Sequence, residues 1–156
     1  MTTEITYPEL AKKLGVEVGG KVLTERARAA VLELRASKGM LLDSNDCDTW
    51  SAGSFFVNPI VSEAVASQLP NDAPRWKLAD GKVKLSAAWL IENSGISKGA
   101  EHGGARVSTK HVLALTNAGK ASATDIATLA RLIQDAVVMK FGIKLEPEVN
   151  LVGLSL

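Results

Sequence analysis

Apolar residues recur at helical spacing along the last third of the chain, at Ile126, Leu129, Ile133, Val137 and Phe141, and Gly142 follows. This periodicity predicts a long helix with one buried stripe, opened by a capping box from Ser122 to Asp125. A shorter helix is predicted over Tyr7–Gly15, with Pro8 in its first turn and Gly15 as its stop. Thr24 reads as the cap of a second helix that ends near Ser37 and Gly39, with Ala27, Val31 and Leu34 on one stripe. Ser62–Leu69 and the stretch from Ser86 to Gly95 read as further helices. Lys82–Leu85, Ala105–Ser108, Val112–Thr116 and Leu145–Gly153 read as extended segments, and Pro70–Gly81, rich in proline and aspartate, as a loop.

Strands and helices in this irregular order predict an α+β fold, with a small mixed or antiparallel sheet packed against helices and an amino-terminal helical appendage. The polar, acidic run from Leu42 to Trp50 marks the boundary, so residues 1–44 are expected to form the appendage and residues 45–156 the main domain. With 156 residues, 46% of them hydrophobic, the chain is large enough for one substantial core.

Eighteen Lys and Arg against seventeen Asp and Glu leave a formal charge of +1. A balance this even gives no field for gripping nucleic acid or an anionic bilayer. No apolar run approaches the ~20 residues that span a bilayer, and no signal peptide opens the chain, so the expected compartment is the cytoplasm. Cys47 is the only cysteine. Flanked by Asp46 and Asp48, which oppose a thiolate, it reads as an unreactive loop thiol. No metal site is expected. Gly15–Lys21 has the spacing of a P-loop, but Val22 stands where Ser or Thr would hold magnesium and a helix precedes it, so it is no nucleotide site. The glycine-rich Lys98–Gly104 loop reads as a flexible connection or a phosphate nest.

The candidate chemistry gathers in two segments. In Gly53-Ser54-Phe55-Phe56-Val57-Asn58-Pro59 the two rings can keep water from the Ser54 hydroxyl, and Pro59 holds Asn58 extended with its amide free to meet a ligand. In Leu145-Glu146-Pro147-Glu148 two carboxylates lie two residues apart on a predicted strand, so they share a face and disfavour each other's ionisation. The plainer reading of that pair is an edge strand blunted by charge and proline. Trp76 would stack on a base or sugar, or else cover the core, and His111 would face a cleft or solvent.

These segments, together with Val83-Lys84-Leu85-Ser86-Ala87-Ala88-Trp89-Leu90-Ile91, Gly103-Gly104-Ala105 and Phe141-Gly142-Ile143, resemble in order the carboxy-terminal, substrate-facing part of UDP-N-acetylenolpyruvoylglucosamine reductases. The resemblance runs from about Tyr7 to Gly153. It implies that Ser54 is the catalytic proton donor and Glu148 the second catalytic residue. Lys38, Asn58, Trp76 and His111 fall at positions implying contact with the UDP-sugar. Two positions depart from the family pattern. Val57 stands where a basic residue is frequent, and Trp76 stands where tyrosine is common.

The resemblance further implies the reduction of UDP-N-acetylglucosamine enolpyruvate to UDP-N-acetylmuramate for peptidoglycan, with FAD and NADPH as cofactors of the full-length enzyme. The family's flavin-binding domain and catalytic arginine precede the part seen here. No cofactor is therefore expected on this chain alone, which would be catalytically silent without that missing domain. Glu148 would carry a proton when substrate is bound, retained by burial and by Glu146. The competing expectation is a stand-alone sugar-nucleotide-binding module without chemistry.

Overall fold

The computed structural model describes residues 1–156. The chain divides into two compact units, Met1–Leu42 and Asp43–Leu156.

In the first unit, β1 (Thr2–Glu4) pairs antiparallel with β2 (Lys21–Leu23), and α1 (Pro8–Leu14) and α2 (Thr24–Ser37) complete it. Pro8 occupies the first turn of α1, where a missing N–H costs nothing, and Gly15 closes the helix in the left-handed conformation. Ile5, Leu14, Val22, Ala27 and Ala30 form a small core. The expected helical appendage is therefore mixed, because two three-residue strands are too short for any periodicity to announce. Thr24 is the first residue of α2 and not its cap; its hydroxyl donates to the Met1 carbonyl. The buried positions of α2 are Ala27 and Ala30, whereas Val31 is 38% exposed.

The second unit begins with a single 3-10 turn at Cys47–Thr49. Next come β3 (Ser51–Ser54), β4 (Ile60–Val61), α3 (Glu63–Ala66), β5 (Arg75–Lys77), β6 (Val83–Leu85) and α4 (Ala87–Asn93). The order then runs β7 (Glu101–His102), β8 (Ala105–Val107), β9 (Ala114–Asn117) and α5 (Ala123–Phe141). Four strands form one sheet in the order β3-β9-β8-β7, and three form another in the order β4-β6-β5; every pairing is antiparallel. The fold is α+β, with small sheets in place of one.

α5 lies on the four-stranded sheet and on α4, burying Leu129, Ala130, Ile133 and Val137 along the predicted stripe. Both ends of α5 follow the sequence signals. The Ser122 hydroxyl accepts from the Asp125 amide, the Asp125 carboxylate accepts from the Ser122 amide at 2.8 Å, and Gly142 adopts the left-handed conformation after the last turn.

Two expectations change. The 70–81 segment contains β5, held at its start by Arg75, whose guanidinium donates to the Ala66, Leu69 and Pro70 carbonyls beyond α3. The Leu145–Gly153 segment forms no strand. It makes one isolated antiparallel bridge, between Phe56 and Pro147. The glycine-rich loop also gains a structural explanation. Gly103 and Gly104 turn β7 into β8, and a Cβ on Gly104 would lie 2.5 Å from the Ala121 backbone nitrogen. Glycine is needed for that close approach, and Lys120 and Ala121, just ahead of α5, pack against the turn. No helix is long and apolar enough to cross a membrane.

Two outcomes follow from α5. Ile133 has no solvent exposure, and Ile133→Ala is expected to cost about 2–5 kcal/mol in urea unfolding, through lost burial and the cavity left behind. Hydrogen bonds from the Ser122 amide and then its hydroxyl hold the Asp125 carboxyl below the ordinary aspartate range. A depressed folded-state value means that this contribution to stability is present at neutral pH and is lost as pH falls through it. Removing the hydroxyl by Ser122→Ala should move the Asp125 midpoint upward in a carbon-13 NMR titration without restoring the unfolded value, since the Ser122 amide remains.

Candidate functional site

The Ser54 hydroxyl owes its setting to an irregularity in β3. Ser51 pairs with Thr116, but Ser54 pairs with Ala114, so three steps along β3 answer two along β9. The extra residue makes a bulge, and Gly53, with φ at +86°, is the residue that adopts the backbone it requires. A bulge bends its strand and re-aims the side chains beside it. Ser54 is the last residue of β3 and is half-buried.

Phe55 and Phe56 follow, both buried, with their rings edge to face at 5.0 Å. The Phe55 amide donates to the Leu113 carbonyl at 2.7 Å, and its carbonyl accepts from the Glu148 amide at 2.8 Å. The Val57 amide donates to the Glu146 carbonyl at 3.0 Å. Both sequence-predicted catalytic segments are thus stitched together by main-chain bonds on either side of the Phe56–Pro147 bridge. Pro147 faces Phe56 at a position where the ladder requires no N–H, which is why a proline fits there.

Both Glu146 and Glu148 are exposed. The burial expected to retain a proton on Glu148 is not supplied by the packing of this chain, and the strand that would align the two carboxylates on one face is absent.

A second gathering lies on the three-stranded sheet. Asn58, Trp76, Leu78 and Lys84 line an open groove of about 350 Å³. Trp76 and Lys84 are direct cross-strand partners on β5 and β6, and Trp76 is 50% exposed. Its ring therefore does not cover the core. The Asn58 carbonyl oxygen accepts from the Ala87 amide at 2.9 Å, the first residue of α4. One lone pair of that oxygen serves the helix start, so the carboxamide expected to reach a ligand is anchored to α4 with its N–H donors outside this bond. Lys84 was missed by the sequence reading. Its signal is the alternation in Val83-Lys84-Leu85, buried, exposed, buried, which sets the ammonium on the outer face.

His111 does not begin a strand. Val112 and Leu113 form a turn, β9 starts at Ala114, and the imidazole Nδ1 accepts from the Leu113 amide at 3.2 Å. Lys38 belongs to the first unit, where its ammonium is paired with the Glu9 carboxylate.

A polar cluster unforeseen in the sequence adjoins the His111 turn. Asp48, 4% exposed, accepts from the Ser108 hydroxyl at 3.0 Å and from both the amide and hydroxyl of Thr109 at 2.9 and 3.0 Å. Arg106 lies 3.8 Å from the same carboxylate and donates to the Cys47 sulfur at 3.4 Å, so the thiol serves as an acceptor in this cluster. Beside it, Lys110 and Asp46 form an ion pair. The hydrogen bond from Lys110 holds the Asp46 carboxyl below its ordinary range, and Asp46 in turn raises the Lys110 ammonium. No group of three or more His, Cys, Asp or Glu side chains is gathered as a metal site would need.

Residues 45–152 match the family described as UDP-N-acetylenolpyruvoylglucosamine reductase, C-terminal domain. A reductase of that name from Cutibacterium acnes is 53% identical to this chain over 155 residues, which make up 97% of the chain and 40% of the relative. One from Mycolicibacterium gilvum is 51% identical, covering 97% of the chain and 45% of the relative. The crystal structure of the reductase from Thermus caldophilus aligns with 88% of this chain and 46% of its own, at 24% identity and a TM-score of 0.43. The chain thus spans less than half the length of these relatives, and its matched portion includes the site segments described above. On the extent of the family match, this chain belongs to the UDP-N-acetylenolpyruvoylglucosamine reductase family, with the carboxy-terminal domain at residues 45–152.

Proposed function

We propose that the second unit is the substrate-binding and proton-donating part of a UDP-N-acetylenolpyruvoylglucosamine reductase. The observation that carries this reading is the double main-chain stitch from Phe55 and Val57 to Glu148 and Glu146, which holds a hydroxyl-bearing bend beside an acid-bearing segment. Two segments from opposite ends of the domain are joined by main-chain bonds, which supports reading them as one site.

The Trp76 groove supports the substrate class. A UDP-sugar offers a flat base and an anionic diphosphate, and the groove offers a half-exposed indole with an ammonium directly across the ladder. Stacking suits the first and a charge-assisted hydrogen bond the second.

Reduction of an enolpyruvyl double bond leaves carbanion or enolate character beside the substrate carboxylate, and that carbon must be protonated. A serine hydroxyl is a weak acid but sufficient toward so strong a base, provided nearby positive charge steadies the alkoxide. Ser54 is the proposed donor. Glu148 is the group proposed to orient the enolpyruvyl moiety.

FAD and NADPH, implied for the full-length enzyme, would supply the hydride. The glycine-rich turn between β7 and β8 is packed against Lys120 and Ala121, which argues against its cradling a flavin phosphate. The first unit has the character of a piece of a larger body. Tyr7, Leu10, Val31, Leu34, Lys38 and Met40 line an open, mostly apolar groove of about 530 Å³, and Tyr7 is 74% exposed. This agrees with its being the end of the flavin-binding region, and a self-sufficient sugar-nucleotide module would have no use for such a surface.

Titration of the chain with UDP-N-acetylglucosamine, followed by NMR, tests the reading. Trp76→Ala and Lys84→Ala should each weaken binding about 5- to 30-fold, corresponding to ~1–2 kcal/mol, whereas Ser54→Ala should change it by no more than about twofold. Absence of saturable shifts at millimolar ligand, or indifference to both groove variants, would refute it. The chain equilibrated with FAD and desalted should be colourless; a stoichiometric yellow protein would overturn the proposed division between this part and the rest.

A further inference from the structure

A buried carboxylate lies behind the candidate site, connected to it by an unbroken series of hydrogen bonds. Asp48 accepts from the Ser108 hydroxyl across 60 residues of sequence. The Ser108 oxygen in turn accepts from the amides of Lys110 and His111 at 3.0 and 3.2 Å. The His111 ring accepts from the Leu113 amide, the Leu113 carbonyl accepts from Phe55, and the Phe55 carbonyl accepts from Glu148. Each link fixes the orientation of the next peptide. A turn of six residues, Ser108 to Leu113, therefore transmits the placement of one carboxylate to the bend after Ser54.

The cluster is built to keep Asp48 in a single position. It receives three hydrogen bonds, and Arg106 sits alongside at 3.8 Å. A carboxylate so buried persists only where its lone pairs are satisfied, and the three hydrogen bonds to Asp48 hold it in one geometry, while the buried Nε of Arg106 beside it has no partner. The Asp46–Lys110 pair clips the same two loops together at the surface. None of these side chains lies in the stitched pair of segments itself.

We infer that Asp48 and Ser108 are positioning residues, which set the 108–113 turn and through it the placement of Ser54 and Glu148. The inference rests on the reading of those two residues as the site, and it concerns side chains to which that reading gives no role. Asp48 acts through Ser108 and the turn, with no contact to substrate.

Amide hydrogen exchange of the whole chain separates positioning from plain stabilisation. Ser108→Ala removes one of the three hydrogen bonds that join Asp48 to the turn, and with it the oxygen that accepts from the Lys110 and His111 amides, while leaving both Thr109 bonds in place. Exchange at the Phe55 and Glu148 amides should quicken about tenfold or more, and the nitrogen-15 resonance of His111 Nδ1 should move, while amides of Ile133 and Val137 in α5 keep their wild-type protection. Asp48→Asn should give the same local pattern more strongly. Because it also strips a buried charge from Arg106 and is the variant at greater risk of unfolding, Ser108→Ala is the deciding one.

Wild-type exchange at Phe55 and Glu148 in folded Ser108→Ala would overturn the inference. Uniform acceleration that includes α5 would also overturn it, because the hydroxyl would then only stabilise the fold. Failure of the wild-type chain to bind UDP-N-acetylglucosamine is a different result. It refutes the functional reading and leaves the exchange comparison standing.

Discussion

Phe55 is held from both sides of its peptide. Its N–H donates to the turn before β9, its C=O accepts from Glu148, and its ring is buried in the core. A buried backbone must find partners for its polar groups, and here those partners come from segments about sixty and ninety residues further along the chain. The arrangement of the candidate site follows from that requirement. Once the aromatic pair enters the core, the residue before it stands at the end of β3, and the residue that caps its carbonyl is an acid. The helices take no direct part in this meeting. α5 and α4 supply the apolar mass that keeps Phe55 and Phe56 dry, and the short strands supply the edges along which the loops are joined.

Sequence reading succeeds where the physics is local. The capping box at Ser122 and Asp125, the stripe on α5, the start of a helix near Ser86 and the stop at Gly15 depend on contacts within a few residues, and each is present in the structure, whereas Thr24, read as a cap, is the first residue of α2. It fails where an element is too short to carry a period. β1, β2 and β5 have three residues each, and β5 lies within a proline- and aspartate-rich segment that reads as loop. Leu145–Gly153 has the composition of a strand but finds a partner only at Pro147. Composition signals extended backbone, but only tertiary pairing makes a strand of it.

For the site the division is similar. Ser54, Glu148, Asn58 and Trp76 were nameable because their segments resemble a family in order, and Asn58 with Trp76 does line one groove. Their local duties were not legible. That the Asn58 oxygen serves the start of α4, that Glu148 is exposed, and that Lys84 stands across from Trp76 all depend on pairings between distant residues. Asp48 is the extreme case. In the sequence it is one of two acids beside a cysteine, with nothing to distinguish it from Asp46. In the fold, Asp46 pairs with a lysine at the surface while Asp48 is buried and triply hydrogen-bonded.

The irregular pairing of β3 with β9 sets two demands on the chain against each other. Loss of one residue between Ser51 and Ser54 would restore an even ladder and lift the requirement for glycine at position 53, whose φ of +86° other residues rarely adopt. It would also straighten the strand and remove the bend beside the serine, which would stay paired with Ala114. The bulge thus trades an even ladder for a bend, and the bend sets the aim of the residue that follows Gly53.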